Sequence, residues 1–99
     1  MLIIRVDYEF AQDDMARLPD LVRELREQTV RERGCRAYDF STDLFRPNVM
    51  HLFEIWDDED ALAAHQKSAH IEQWRAEQKT LKPFKREIRK FDVSGEGTL

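Results

Sequence analysis

The sequence is poor in cysteine and glycine and has no long apolar run. One cysteine, Cys35, excludes an internal disulfide and favours a reducing compartment, so we expect a cytoplasmic protein. None of the three glycines lies in the predicted loops 11–14 and 43–48, which argues against a phosphate-binding nucleotide site. No apolar stretch approaches the roughly 20 residues of a membrane helix, and Arg5 and Asp7 interrupt the N-terminal run. We therefore expect neither a transmembrane helix nor a signal peptide.

The chain also lacks the basic excess that nucleic-acid-binding proteins usually carry. It has 16 basic and 20 acidic residues, a net charge of −4 and a pI near 5.4. Its arginines over residues 17–36 alternate with glutamates, as on a solvated helix face, so we expect no nucleic acid partner. What the chain does have is 41% hydrophobic residues in a length of 99, enough for one modest core and one domain.

Alternating apolar residues predict strands. Residues 2–10 place five apolar side chains on one parity, and similar segments follow over 35–42, 49–56 and 84–93. Three- and four-residue apolar spacing predicts an amphipathic helix over about 15–33. We expect Asp13 or Asp14 to cap that helix and Gly34 to end it.

A second helical region follows the third strand. Acidic residues 57–60 favour a helix start, and that helix should run to about Lys67. Ser68 is expected to cap a further helix, and Lys82-Pro83 to stop it. The order predicts an α+β fold of the ferredoxin-like, split βαβ type: a four-stranded antiparallel sheet with helices on one face. We expect this fold to form a single domain over residues 1–93, with 94–99 as a flexible C-terminal tail.

The third strand is apolar on both faces. Val49, Phe53 and Ile55 share one parity, and Met50, Leu52 and Trp56 share the other. Helices can cover only one of these faces. Either the strand leaves a somewhat apolar open face exposed, or two sheets pack face to face in a homodimer; we favour the homodimer, formed through the open sheet face.

Several motifs resemble the antibiotic biosynthesis monooxygenase (ABM) family. They are Gly34-Cys35 before a strand, Tyr38 within it, Glu54-x-Trp56 ending the third strand, and Leu62-x-x-His65-x-x-Ser68-x-His70. The resemblance implies a dimeric α+β barrel with a pocket between sheet and helices in each subunit. Relatives oxygenate quinols or polyketide anthrones without metal or flavin, others degrade haem, and some isomerise signalling molecules. It thus implies a cofactor-independent monooxygenase, with no cofactor and no metal, that acts on a small aromatic substrate and O2.

His65 and His70 are the candidate catalytic residues, and both match histidines of the family motif. Imidazole titrates near neutral pH, so His65 is the first choice for a base that removes a substrate proton. The alternative for His65 is a favourable charge near a helix C-terminus, and for His70 a local backbone bond. A metal site is not expected, because helical ligand pairs usually lie three or four residues apart and no third ligand stands at a recognisable spacing.

The predicted substrate-binding residues are aromatic or acidic: Trp56, Tyr38, Trp74, Asp7 and Glu54. The three aromatics could wall a pocket or be plain core. Glu54 lies on an otherwise apolar strand, and we expect Arg5 or Arg89 to pair with its charge.

Three departures from the haem-degrading relatives count against haem as the substrate. Asp7 replaces an asparagine of those relatives, His65 replaces a tryptophan, and Arg75 replaces the haem-ligating histidine.

Two other functions stay open. The chain could be a non-catalytic, ligand-binding or stress-associated dimeric module of the same fold, or an isomerase of a small metabolite.

Overall fold

The computed structural model describes residues 1–81 and 84–99. Four strands are described: β1 (Leu2–Phe10), β2 (Cys35–Thr42), β3 (Val49–Trp56) and β4 (Phe84–Asp92). The helical segments of this part of the chain are a 3₁₀ helix (Gln12–Arg17), α1 (Leu18–Thr29), α2 (Glu59–Gln66) and α3 (Ala69–Gln78). No helix among the described residues is both long enough and apolar enough to cross a membrane.

The strands form one antiparallel sheet in the order β2-β3-β1-β4. This is the predicted ferredoxin-like α+β arrangement, with β1 and β3 in the centre. The predicted bounds of the first three strands are confirmed, and the last strand ends at Asp92, one residue earlier than expected.

The core lies between one face of the sheet and the helices. Alternate residues of β1 point into it and are almost fully buried: Leu2, Ile4, Val6, Tyr8 and Phe10. Helix α1 contributes Leu18, Val22 and Leu25, and α3 contributes Ile71 and Trp74. The alternate residues of β1 and the apolar residues spaced along the helices therefore pack into one apolar layer, as both sequence patterns predict.

The long first helix is shorter than predicted. Its first part is a separate 3₁₀ helix, and α1 begins only at Leu18, with Pro19 in its first turn. The expected cap residues, Asp13 and Asp14, lie inside the 3₁₀ helix, whose N-cap is Ala11. Proline has no N–H to donate and fits the first turn of an α-helix, so the α-helix starts beside it rather than running through it.

The far end of α1 also differs from the prediction. The helix ends at Thr29, and residues 30–34 form a turn that leads into β2. Gly34 is therefore not the residue that ends the helix. It has a φ of 83°, and its carbonyl accepts a bond from the Asp57 amide at 2.8 Å, which ties this turn to the start of α2.

Helices α2 and α3 are capped by side chains. Asp58 accepts a bond from the Ala61 amide at 2.8 Å, so α2 begins at Glu59. Ser68 accepts a bond from the Ile71 amide at 3.3 Å, which confirms it as the cap of α3. The predicted stop at Lys82-Pro83 lies outside the described residues.

The helix layer does not extend over β4, whose residues 85–92 are all exposed. Ile88 pairs with Val6 and therefore lies on the helix side of the sheet, yet it is 56% exposed. On the open face, Phe53 is 40% and Phe91 45% exposed. The sheet thus carries exposed apolar side chains on both of its faces.

Candidate functional site

His65 lies in the last turn of α2, with only 1% of its surface exposed. Its ring packs against Trp56 of β3, with centroids 4.7 Å apart, and against Tyr38 of β2 at 5.4 Å. Three predicted site residues from three elements are therefore brought together under the helix layer.

Glu32, in the turn after α1, joins the two motif histidines. Its Oε2 accepts a bond from His65 Nδ1 at 2.7 Å and one from His70 Nε2 at 3.0 Å. We assign the Nδ1 proton of His65 to this bond, which leaves the Nε2 lone pair free to accept a proton. Burial lowers the pKa of His65, while the Glu32 carboxylate works in the opposite direction. The lowered pKa favours the neutral ring, and the bond to Glu32 holds the ring in one orientation.

Sequence reasoning missed Glu32. It belongs to a segment where glutamates and arginines alternate, and nothing in that pattern marks one glutamate over another. Only the turn over residues 30–34 brings it towards α2 and α3.

The same three residues are a set that a divalent cation could use, since their ligand atoms lie within 4.8 Å of one another. His2Glu is a familiar zinc ligand set. Both separations from the shared Glu32 oxygen are hydrogen-bond distances, however. We assign the group a hydrogen-bonding role.

A small pocket lies between the sheet and α3, beside His65. It is lined by His65, Tyr38, Glu54, Tyr8, Trp74 and Arg86 among others, and has a volume of about 70 Å³. Sites for drug-sized ligands usually measure about 300–1,000 Å³, so this interior accepts part of a small molecule. Trp56 packs on His65 but is not one of the lining residues.

Glu54 is buried in the wall of this pocket. Its Oε1 accepts a bond from Trp56 Nε1 at 2.8 Å. Burial raises the pKa of Glu54 to about 7, and the charge of Glu32 adds to the rise. The predicted ion pair with Arg5 or Arg89 is wrong: strand alternation puts both arginines on the open face, where they bond to Asp7.

Two phenols complete the polar lining. The Tyr38 hydroxyl is buried and has no hydrogen-bond partner among the described residues, and burial raises the pKa of this phenol. The Tyr8 hydroxyl accepts a bond from Trp74 Nε1 at 3.3 Å. A buried hydroxyl without a partner costs about 1–3 kcal/mol, so the Tyr38 group is a ready partner for a polar ligand atom.

Asp7, the fifth predicted binding residue, lies elsewhere. It is on the open face, where it accepts a bond from His51 Nδ1 at 2.6 Å. His51 Nε2 bonds to Asp43 at 3.0 Å on the β2–β3 connection. Asp7 is therefore part of a surface ionic cluster and does not contact the pocket beside His65.

A larger apolar groove lies at the other end of the molecule. It measures about 410 Å³ and is lined by Met15, Leu18, Phe40 and Met50, among others. None of the described residues that line it has a titratable side chain. This groove is several times larger than the pocket beside His65, but the titratable candidate residues line the smaller pocket.

Comparison with known proteins agrees with this fold. The family model described as antibiotic biosynthesis monooxygenase matches residues 1–77. A solved structure from Deinococcus radiodurans, named for the same family, is 23% identical with a TM-score of 0.91, covering 100% of this chain and 98% of its own. A conserved protein of unknown function from Bacteroides thetaiotaomicron is 26% identical with a TM-score of 0.84, covering 93% and 96%. No curated protein sequence matches this one.

Proposed function

Because this chain belongs to the antibiotic biosynthesis monooxygenase family, we propose that it is a cofactor-independent monooxygenase of a small aromatic, quinol-type or polyketide-like substrate. The observation that carries the proposal is the hydrogen bond between Glu32 and His65, whose buried imidazole lines the pocket. A carboxylate that holds one imidazole nitrogen leaves the other poised as a base, an arrangement that recurs in unrelated enzymes.

In the proposed reaction, His65 Nε2 accepts a proton from the substrate hydroxyl or from an acidic C–H. The resulting anion is electron-rich and reacts with O2 at a ring carbon, forming a C–O bond and then a hydroperoxide. Loss of water from the hydroperoxide leaves a carbonyl, so one oxygen atom enters the product and the other leaves as water. Glu54, whose pKa is near 7, is available to supply a proton to the departing oxygen.

The surroundings of His65 support the same chemistry. Tyr38 and Trp56 contact the imidazole and keep it in apolar surroundings, while His65 itself is buried. An apolar site excludes water, which protects a reactive anion from proton return. The Tyr38 hydroxyl offers a hydrogen bond to a substrate oxygen.

The proposal includes a homodimer formed through the open face of the sheet. Phe53 and Phe91 are about half exposed on that face, and Ile3 and Ile55 lie beside each other between them. Packing two such faces together would remove these side chains from water.

Oxygen uptake tests the proposed activity. The protein is mixed anaerobically with reduced quinols and with an anthrone, air is admitted, and uptake is compared with a protein-free control. We expect faster uptake for at least one substrate, strong loss in His65→Gln, and no loss with a metal chelator. Uptake equal to the control over the whole panel would rule out the oxygenase.

A non-catalytic ligand-binding module is the second candidate. The observation in its favour is the larger apolar groove beside Met15 and Phe40, whose lining has no titratable group among the residues the structure describes. Thermal-shift measurements separate the two functions. Binding without turnover that survives His65→Ala but is lost in Phe40→Asp would favour the module.

A further inference from the structure

Two arginines line the pocket of His65, and neither contacts a carboxylate within the described part of the chain. Arg75 of α3 donates from Nη1 to the Gln66 carbonyl at 3.1 Å and also bonds the Gln66 side chain. Arg86 of β4 donates from Nη1 to the side-chain oxygen of Gln78 at 3.1 Å. Both guanidinium groups are thus held in place by neutral groups at the rim of one pocket.

The lack of an acidic partner distinguishes Arg75 and Arg86 from most other described arginines. Most other described arginines contact an acidic side chain: Arg5, Arg17, Arg23, Arg26, Arg36, Arg46 and Arg89. Acidic residues outnumber basic ones, 20 to 16, so carboxylates are not in short supply. Fixed guanidinium groups that keep their charge unpaired are suited to an anion from outside the chain.

Both charges act on the groups inside the pocket. Burial raises the pKa of the Tyr8 phenol, and the nearby charge of Arg86 opposes that rise. Burial lowers the pKa of His65, and the charge of Arg75 lowers it further. The two cations are therefore close enough to act on whatever occupies the space between Tyr8 and His65.

We propose that the substrate is a single-ring aromatic acid whose carboxylate is bound by Arg75 and Arg86. This inference rests on the proposed function, because it names the substrate class of the same site. The guanidinium fork matches the two oxygens of a carboxylate, and an interior of about 70 Å³ suits the hydroxyl-bearing edge of one ring. Binding the carboxylate at the rim directs the opposite edge of the ring towards His65 and Tyr38.

Binding under anaerobic conditions tests the proposal without turnover. Titration calorimetry compares 2,5-dihydroxybenzoate with its neutral isostere, 2,5-dihydroxybenzamide, at pH 7.5. We expect the acid to bind at least about tenfold more tightly, because charge-assisted hydrogen bonds are about twice as strong as neutral ones. This preference should shrink about tenfold in Arg75→Gln and in Arg86→Gln. Arg23→Gln is the matched control, because that arginine is exposed on α1 and pairs with Asp20.

The affinity of the acid should also fall as the salt concentration is raised from 50 to 500 mM, whereas the affinity of the amide should not. This measurement needs no variant. Equal affinities, a preference that persists in both variants, or no binding of either compound would overturn the proposal. Failure of oxygen uptake with a preserved acid preference would reject the oxygenase and keep the substrate class. Oxygen uptake with neutral quinols and no acid preference would keep the oxygenase and reject the substrate class.

Discussion

His65 is the residue whose protonation state should control activity. It must be neutral to accept a proton, and burial lowers its pKa below the usual 6.5. The kcat/KM of the wild type should therefore rise with pH along a limb that lies below about pH 6.5 and then level off. His65→Ala should abolish that limb and reduce the rate by roughly 10²–10⁴-fold, the usual contribution of a positioned base.

Glu32→Gln provides the control for this pH profile. The Glu32 carboxylate raises the pKa of His65, so removing its charge should move the limb to lower pH. Glutamine can still accept the Nδ1 bond, so some activity should remain. A limb that stays in place in this variant would show that His65 does not set the pH dependence.

Glu54 should make the folded state less stable as the pH rises. Its pKa is raised from 4.5 to about 7 by burial, so the folded state holds a proton that the unfolded chain has already lost between those values. The free energy of unfolding should fall by roughly 3 kcal/mol from pH 4.5 to 7 through this residue and then become flat. Glu54→Gln keeps an acceptor for Trp56 Nε1 and should remove this slope, as measured by urea denaturation across the pH range. An unchanged slope in the variant would show that Glu54 is ionised in the fold.

For single residues, the sequence predicted members of the candidate site where a family motif was present. His65, Tyr38 and Glu54 were named from spacing and resemblance, and the structure brings all three to one pocket. The predicted partner of Glu54 is wrong, because a sequence shows the charge of a residue but not the desolvation that raises its pKa. The sequence does not show the tertiary neighbours on which the proposed roles of Glu32, Arg75 and Arg86 depend.

At the scale of elements, the turn from α1 to β2 depends on Gly34. Its φ of 83° disfavours any other residue, and an added Cβ would lie 2.6 Å from the Cβ of Ala61 in α2. Gly34→Ala should lower the free energy of unfolding by roughly 2 kcal/mol or more, as measured by urea denaturation. Gly95→Ala is the matched control, because no atom of the described neighbours lies within 4 Å of its added Cβ.

A double variant separates the two causes. Ala61→Gly removes the clash but leaves the backbone strain, so it should restore only part of the stability lost in Gly34→Ala. Full stability in the single variant would show that this turn tolerates a side chain.

Strands were predicted more accurately than helices, and the reason is physical. Alternation of side chains marks the faces of the sheet directly, so β2 and β3 were predicted to the residue. The charged segment after Thr29 has good helix formers, and its local preference continues the helix. The need to turn at residues 30–34, where the chain must reach β2, is a tertiary requirement that overrides this preference.

At the scale of the whole molecule, the open face should mediate dimerisation. Light scattering at micromolar concentration should return twice the 11.8 kDa mass of the chain. Phe53→Asp should shift the protein to monomer or to aggregates, because an unpaired charge is costly to bury. Val30→Asp is the matched control: Val30 is also 40% exposed but lies in the turn after α1. A mass of one chain for the wild type would contradict the dimer.

The exposed strand β4 also bears on how copies of the protein avoid aggregating with one another. Among the described strands it pairs only with β1, so its outer edge can template another strand, the contact from which fibrillar aggregates grow. Charged side chains crowd this edge: Lys85, Arg86, Glu87, Arg89 and Lys90. Repulsion between two such edges, each of net positive charge, should oppose this growth. We therefore expect the strand that borders the pocket also to limit aggregation at high concentration.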